Sequence, residues 1–337
     1  MEQAKLGHTD ITVSRLCVGG MSFGQAGTMH AWTLDQPATT KMVKTALNLG
    51  LNFFDTANSY SKGTGEEYLG QALRDNGVPR DQVVLASKVY FNPGRLSSEA
   101  IHREIDGSLK RLGTDYLDLY IIHRFDYDTP IEATMAALND LVVAGKVRAI
   151  GASAMYPEQF DQMQQIAKQH GWATFQTMEN HYNLLYREDE KALIPLTKKW
   201  GASLMPYSPL AAGHLSHPGW DTDTLRSRTD KVAKGKYDNM EENDLAIIKQ
   251  VEVVAAKHHI TMSQVALAWL WAKGVAAPIV GATKENHLRE AAEAQQVELD
   301  DADIKALEAP YSPHPIVGAL DKNPPAGTIL VDEKKEK

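Results

Sequence analysis

Asp55, Tyr60, Lys88 and His123 are the residues whose types and spacing suit proton chemistry. Asp55 ends the apolar run Asn52-Phe53-Phe54-Asp55, with Tyr60 on the loop just beyond; Lys88 ends Val83-Val84-Leu85-Ala86-Ser87-Lys88; His123 ends Tyr116-Leu117-Asp118-Leu119-Tyr120-Ile121-Ile122-His123. Taken singly, Asp55 reads as a cap or loop residue and Tyr60 as a surface aromatic. Ionisable groups at the ends of consecutive buried strands, however, converge on one face. There they could reduce a carbonyl: adding a hydride places negative charge on its oxygen, which calls for a positioned proton donor. A phenol with an ordinary pKa of about 10 is a poor donor near neutrality, and a lysine ammonium within about 4 to 6 Å lowers it by favouring phenolate. Lys88 suits that role, Asp55 would keep Lys88 charged and in place, and His123 could donate to the carbonyl oxygen. Tyr60 is then the acid in reduction and the base in oxidation.

The three runs are too apolar for half-exposed strands and read as buried parallel strands. Upstream, residues 5–14 alternate around a Gly-His-Thr-Asp turn, which predicts an antiparallel hairpin plugging one end of the fold. A first core strand over 15–19 runs into Gly19-Gly20-Met21-Ser22-Phe23-Gly24, where Gly20 and Met21 are either a plain turn or backbone bared for a ligand. Helices are predicted over 36–48, 65–75, 98–112 (with an N-cap serine), 130–143, 157–170 and 189–199, and strands over 147–152, 174–178 and 202–206. A long polar insertion over 213–238 precedes helices at 241–258 and 262–273, a strand at 277–280, and closing helices at 285–294 and 301–308. Eight apolar strands alternating with helices, without a linker, predict one α/β domain, a (β/α)8 TIM barrel. It would span 1–337, with a core over 5–310 and a C-terminal loop and tail over 311–337. A doubly wound sheet is the rival, but the glycines at 19–24 do not have the spacing of its dinucleotide turn. Active sites of such barrels lie at the C-terminal ends of the strands, where all four candidates fall.

The chain has 337 residues, a net charge of -8 and a pI near 5.8, which argues against nucleic acid as a partner. Cys17 is the only cysteine, so neither an internal disulfide nor a cysteine zinc site can form, which fits a reducing cytoplasm. No export signal or membrane helix is evident, and the charged run 332–337 reads as a frayed tail. No metal site is expected: His258-His259 on one helix point about 100° apart, a poor chelate, and suit a helix end.

Asp55-Thr56-Ala57-x-x-Tyr60, Ala86-Ser87-Lys88, Asp118-Leu119-Tyr120-Ile121-Ile122-His123 and Tyr207-Ser208-Pro209-Leu210 resemble, in order and spacing, the aldo-keto reductase superfamily, over residues 6–307. His123-Arg124-Phe125-Asp126-Tyr127-Asp128-Thr129-Pro130-Ile131-Glu132 and Asn180-His181-Tyr182-Asn183-Leu184 are similar to its bacterial and fungal branch. That branch includes 1-deoxyxylulose-5-phosphate synthase-like reductases and versiconal hemiacetal acetate reductase, and is related to potassium-channel β-subunits. The resemblance implies the tetrad's catalytic role and a nicotinamide cofactor, NADP with NAD possible. It puts Ser153 and Gln176 on the carboxamide, Tyr207 under the ring, Ser208, Pro209, Leu210 and Gly213 along the pyrophosphate, and Gly281, Thr283, Lys284, His287 and Glu290 at the adenosine end. Ala154, Ala291 and His287 depart from frequent family residues, which touches cofactor choice rather than the tetrad.

Substrate walls are implied at Met29, His30 and Trp32, at 124–129 and at 311–327. Arg124 reads either as an anion contact or as a salt-bridge partner of Asp126 or Asp128. Arg226, Arg228, Lys231 and Lys234 read as a clamp for the cofactor phosphate or as a solvated basic loop. The implied function is NADP-dependent reduction of small aldehydes, ketones or sugar-like substrates, with a homo-oligomer compatible with it. Alternatives on the same scaffold are a Schiff-base enzyme using Lys88, a pentulose-phosphate-converting enzyme, and a nucleotide-sensing binding protein of the channel-β kind.

Overall fold

The computed structural model describes residues 1–221, 223–318 and 320–324. Eight short parallel strands form its centre: β3 (Cys17–Gly19), β4 (Phe53–Asp55), β5 (Val84–Val89), β6 (Leu117–Ile122), β7 (Val147–Ser153), β8 (Phe175–Glu179), β9 (Ser203–Leu204) and β10 (Ile279–Val280). They pair in the order β10-β3-β4-β5-β6-β7-β8-β9. The two ends of that order meet: Ala276 N donates to Leu204 O (3.0 Å) and Ile279 N to Pro206 O (2.9 Å), closing the cylinder.

Alternation divides each strand between two cores. Cys17, Phe53, Val84, Ala86, Leu119 and Ile121 fill the lumen, while Val18, Phe54, Leu85, Tyr120 and Ile122 face the surrounding helices. Burial on both sides is why the runs read as almost uniformly apolar. The predicted hairpin is present as β1 (Gln3–Lys5) and β2 (Thr12–Ser14), paired antiparallel. Its Leu6, Ile11 and Val13 join the lumen cluster. Bonds from Ser14 N to Asn52 Oδ1 (2.6 Å) and from Asn52 Nδ2 to Thr12 O (3.1 Å) seat it at the N-terminal mouth.

The outer ring begins with α1 (Gln36–Asn48), α2 (Thr64–Asp75), α3 (Ser98–Leu112), α4 (Ile131–Val143) and α5 (Pro157–His170). Asp35 and Ser97 cap α1 and α3, and left-handed Gly113 and Gly171 end α3 and α5. The helix predicted over 189–199 divides into a turn at Glu188–Lys191 and α6 (Leu193–Trp200). The break falls at Ala192, whose φ of -147° is outside the helical range, and the turn is anchored by the Glu188 carboxylate, which accepts from Tyr311 Oη and His314 N, both at 2.8 Å.

The polar insertion is not a plain loop. It folds into α7 (Leu225–Thr229) and α8 (Lys231–Tyr237), capped by Thr224 and Asp230, with an Arg226–Asp230 pair at 3.0 Å. Short helices held by caps leave little apolar periodicity to read. Then follow α9 (Glu241–His258), α10 (Met262–Ala272), α11 (Glu285–Glu293) and α12 (Asp301–Glu308). His258 ends α9 and bonds Asp303 at 2.7 Å, in keeping with a helix-end role. The tail over 332–337, and the substrate-wall residues 325–327, lie outside the described residues.

Candidate active site

Asp55 is the last residue of β4, and its register against Ala86 of β5 sets it beside Lys88, whose side chain points into the lumen by the same alternation as Ala86. Beyond β4, Thr56 N donates to Ala86 O (2.9 Å) and Asn58 N to Lys88 O (3.1 Å), so the chain tracks β5 before turning outward. Tyr60 opens the next turn. Ser61 and Lys62, both with positive φ, then reverse the chain into α2. Behind this turn Glu66, fully buried, accepts from Ser87 Oγ (2.5 Å) and Arg111 Nε (2.6 Å), fastening α2 to β5 and α3.

The Lys88 ammonium is completely buried and donates to Asp55 Oδ2. It lies 5.1 Å from the Tyr60 ring centroid. The Tyr60 and His123 rings meet edge to face at 5.8 Å. A second carboxylate, absent from the sequence-level expectation, completes the group: Glu179 Oε2 lies 3.2 Å from Lys88 Nζ. Glu179 ends β8 just as Asp55 ends β4. The predicted strand stopped one residue early, at Met178, and so missed it.

Electrostatics follow from burial. Desolvation pushes the Lys88 pKa down, but Asp55 and Glu179 more than offset it and hold the ammonium well above its ordinary value. Desolvation raises Asp55 against the pull of Lys88. Glu179 is pushed up to about 8 by burial and then by Asp55, with Lys88 opposing. Two carboxyls thus share one ammonium, and Asp55 holds the shorter contact. Burial also raises the Tyr60 phenol; Lys88 acts in the expected lowering direction but is outweighed. The expected net lowering is therefore corrected: desolvation of the phenolate exceeds the attraction of one already shared ammonium. His123 is held well below its usual value by burial and then by Lys88, so it is neutral and can donate one N–H.

Above this cluster opens a cleft of about 920 Å³. Its lining brings together Asp55, Tyr60, His123 and Glu179 with Ser153 and Tyr207, with Ser208, Pro209, Leu210 and Gly213, and with Gly281, Thr283, Lys284, His287 and Glu290. Met21, Met29, His30 and Trp32 contribute a wall, and Lys88 lies beneath the floor. Tyr207 stacks on His181 (centroids 5.3 Å apart, 8° between planes), and the Lys236 ammonium lies 4.4 Å from its centroid. Lys236 was hidden inside the insertion. Asp128 pairs with Arg95, and Asp126 accepts from Leu96 N, Thr129 Oγ1 and Asn323 Nδ2, while Arg124 is buried in the lining of the cleft.

Three predicted cofactor residues are not brought into the cleft. Gln176 sits toward the N-terminal mouth, accepting from His8 N at 2.9 Å and donating to Thr174 O at 3.0 Å. A strand rises about 3.3 Å per residue, so the step from Gln176 to Glu179 separates the two ends of the lumen. Gly20 is bare for packing: a Cβ there would meet Asp55 O at 2.7 Å, and the residue does not line the cleft. Arg228 is exposed and paired with Asp223, while Arg226 reaches the cleft and covers the Trp32 ring at 4.6 Å.

Residues 15–311 match the aldo/keto reductase family. The chain is similar to versiconal hemiacetal acetate reductase of Aspergillus parasiticus, 38% identical over 94% of this chain and 98% of that protein. It is 36% identical to an aldo-keto reductase of Alternaria alternata, over 93% of this chain and 92% of the relative. A Schizosaccharomyces pombe protein with the provisional name of aryl-alcohol dehydrogenase is 39% identical over 94% of this chain and 97% of its own length. The chain belongs to the aldo/keto reductase family, and is an oxidoreductase of that kind.

Proposed function

We propose that this aldo/keto reductase reduces the carbonyl of small aldehydes and ketones, aromatic ones included, using NADPH in preference to NADH, with Tyr60 as the acid. The observation that carries the reading is the buried Asp55–Lys88 pair beside Tyr60, with Tyr60 and His123 lining a cleft of about 920 Å³. Two features of the lining suit a dinucleotide. Buried Asp55 Oδ1 and His123 Nδ1 lack hydrogen bonds of good geometry among the described residues, so polar atoms are left over for a ligand. Gly213, with no protein atom near where a Cβ would stand, leaves backbone open where a pyrophosphate would run.

Ser153 and Tyr207 would hold the nicotinamide, 208–213 the pyrophosphate, and Thr283, Lys284 and His287 a 2′-phosphate. The bound reduced nicotinamide supplies the hydride. Neutral His123 donates to the substrate carbonyl oxygen and fixes its direction. Tyr60 gives its proton to that oxygen as charge develops, and the resulting phenolate is steadied by Lys88. Met29, Trp32 and Phe91 supply apolar walls for an aryl or alkyl group, which accords with the names of the relatives. The Schiff-base alternative is disfavoured, because a lysine must be unprotonated to attack a carbonyl and Lys88 is held charged by the Asp55 carboxylate, with the Glu179 carboxyl on its other side.

The test is nicotinamide absorbance with NADPH and NADH against aldehydes, ketones and sugar phosphates, run beside Tyr60→Phe. We expect the variant to lose about 10²- to 10⁴-fold in kcat while keeping its NADPH affinity. Equal rates for variant and parent would remove Tyr60 from the mechanism.

A further inference from the structure

Glu179 stands at the end of β8 with no role in the chemistry so far. It is buried, lines the cleft, and its Oε2 lies 3.2 Å from Lys88 Nζ without forming a hydrogen bond of good geometry. Asp55 already satisfies Lys88 by the shorter contact, so a second carboxylate is surplus for holding the ammonium. Two ionised carboxylates around one buried ammonium would leave an uncompensated charge in the barrel, which is costly; one proton on the set removes it.

We propose that Glu179 is the proton store of the site: its carboxyl carries the proton that restores Tyr60 through Lys88, and the carboxylate so formed would offset the positive charge of an oxidised nicotinamide held in the cleft. This rests on the reductase reading above. The balance is complete. The substrate carbonyl takes a hydride from the reduced nicotinamide and a proton from Tyr60. Lys88 passes a proton to the phenolate and takes one from Glu179. The enzyme is left with one carboxylate more than before, its charge offset by the oxidised cofactor, and solvent returns the proton when that cofactor leaves. Glu179 acts through Lys88 and is a positioning residue.

The titratable groups facing Glu179 leave it as the member of the cluster that changes charge near neutrality. Asp55 holds the shorter contact to the ammonium, Lys88 and Tyr60 keep their protons, and the buried Cys17 thiol is pushed up by burial and then by Asp55. His123, facing Lys88, stays neutral. Farther along the cleft, Lys236 is the one rival source: burial and then Arg124 push its pKa down to about 8.

The experiment is calorimetric binding of NADP+ and of NADPH to the whole enzyme near neutral pH, in buffers of different ionisation enthalpy. Both ligands carry the same 2′-phosphate, so its titration cancels in the difference. We expect NADP+ to release about one proton more than NADPH. The ratio of the NADP+ to the NADPH dissociation constant should also fall by up to about tenfold per pH unit as pH rises toward 8. Glu179→Gln should abolish both effects, and Lys236→Met should leave them intact. No proton difference in the parent enzyme overturns the proposal without any variant, as does a difference that survives Glu179→Gln or disappears in Lys236→Met. Absence of NADPH oxidation with every carbonyl tried would instead count against the reductase reading.

Discussion

At the residue scale, the site depends on keeping an ammonium charged inside an apolar barrel. Lys88 has no exposure and two carboxyl neighbours. Lys88→Met would remove the cation that steadies the Tyr60 phenolate and leave Asp55 buried without it. We expect kcat to fall about 10²- to 10⁴-fold, and stability to fall by about 3 to 5 kcal/mol, the usual result of breaking a buried pair from one side. Stopped-flow turnover and urea unfolding measure the two losses separately; a variant as stable as the parent would mean that Asp55 finds another partner. The residues legible in the sequence were those that a strand end places without help. Asp55, Lys88 and His123 each close an apolar run, and the following loop carries Tyr60 back over them. Glu179 obeys the same rule and escaped only because its strand ran one residue longer than expected. Gln176 was assigned by motif position alone, and three residues along a strand were enough to carry it to the hairpin end.

At the element scale, the barrel's C-terminal face is held by how closely α2 approaches its neighbours. Gly70, in the middle of α2, packs on the backbone that ends α3: an added Cβ would lie 2.2 Å from Leu112 O. Backbone cannot yield as a side chain can, so Gly70→Ala should push α2 away from α3 and with it the turn that carries Tyr60. A loss of about 1 to 3 kcal/mol in unfolding free energy is expected, against the gain that glycine-to-alanine normally gives inside a helix. A more stable variant would show that the contact relaxes freely. The helices α1, α3 and α5 were readable because caps and apolar stripes coincide there. The helices α7 and α8 were not, since caps and an internal ion pair, rather than an apolar face, hold them. That is why Lys236 and Arg226, which reach the cleft, were obscured, whereas Arg228, one of the cations chosen there, points to solvent.

At the scale of the whole molecule, a net charge of -8 coexists with a cleft whose lining sets Arg124, Arg226, Lys236 and Lys284 among Asp55, Glu179, Asp223, Asp230 and Glu290. Overall composition described the outside of the protein and said little about the field inside the site. The segment following α12 is tied across the barrel by buried polar bonds: His314 Nε2 bonds Asp244 Oδ1 of α9 at 2.8 Å, and its backbone N–H bonds Glu188. Burial alone would push the His314 pKa down, but the bond and charge of Asp244 outweigh it and hold it above the ordinary value. Asp244 is in turn raised by burial against the pull of His314. A histidine whose folded pKa exceeds its unfolded value stabilises fully below the unfolded value, about 6.5, and loses that contribution as pH climbs through the folded one. Asp244 limits the window on the acid side, because protonating it removes the partner. The stability advantage of the parent over His314→Asn should therefore be greatest in mildly acid solution, below about 6.5, and shrink steadily into the alkaline range. Paired thermal melts across that range measure it. An advantage that grows with pH would mean that His314 is neutral in the fold and that the tether is an ordinary hydrogen bond.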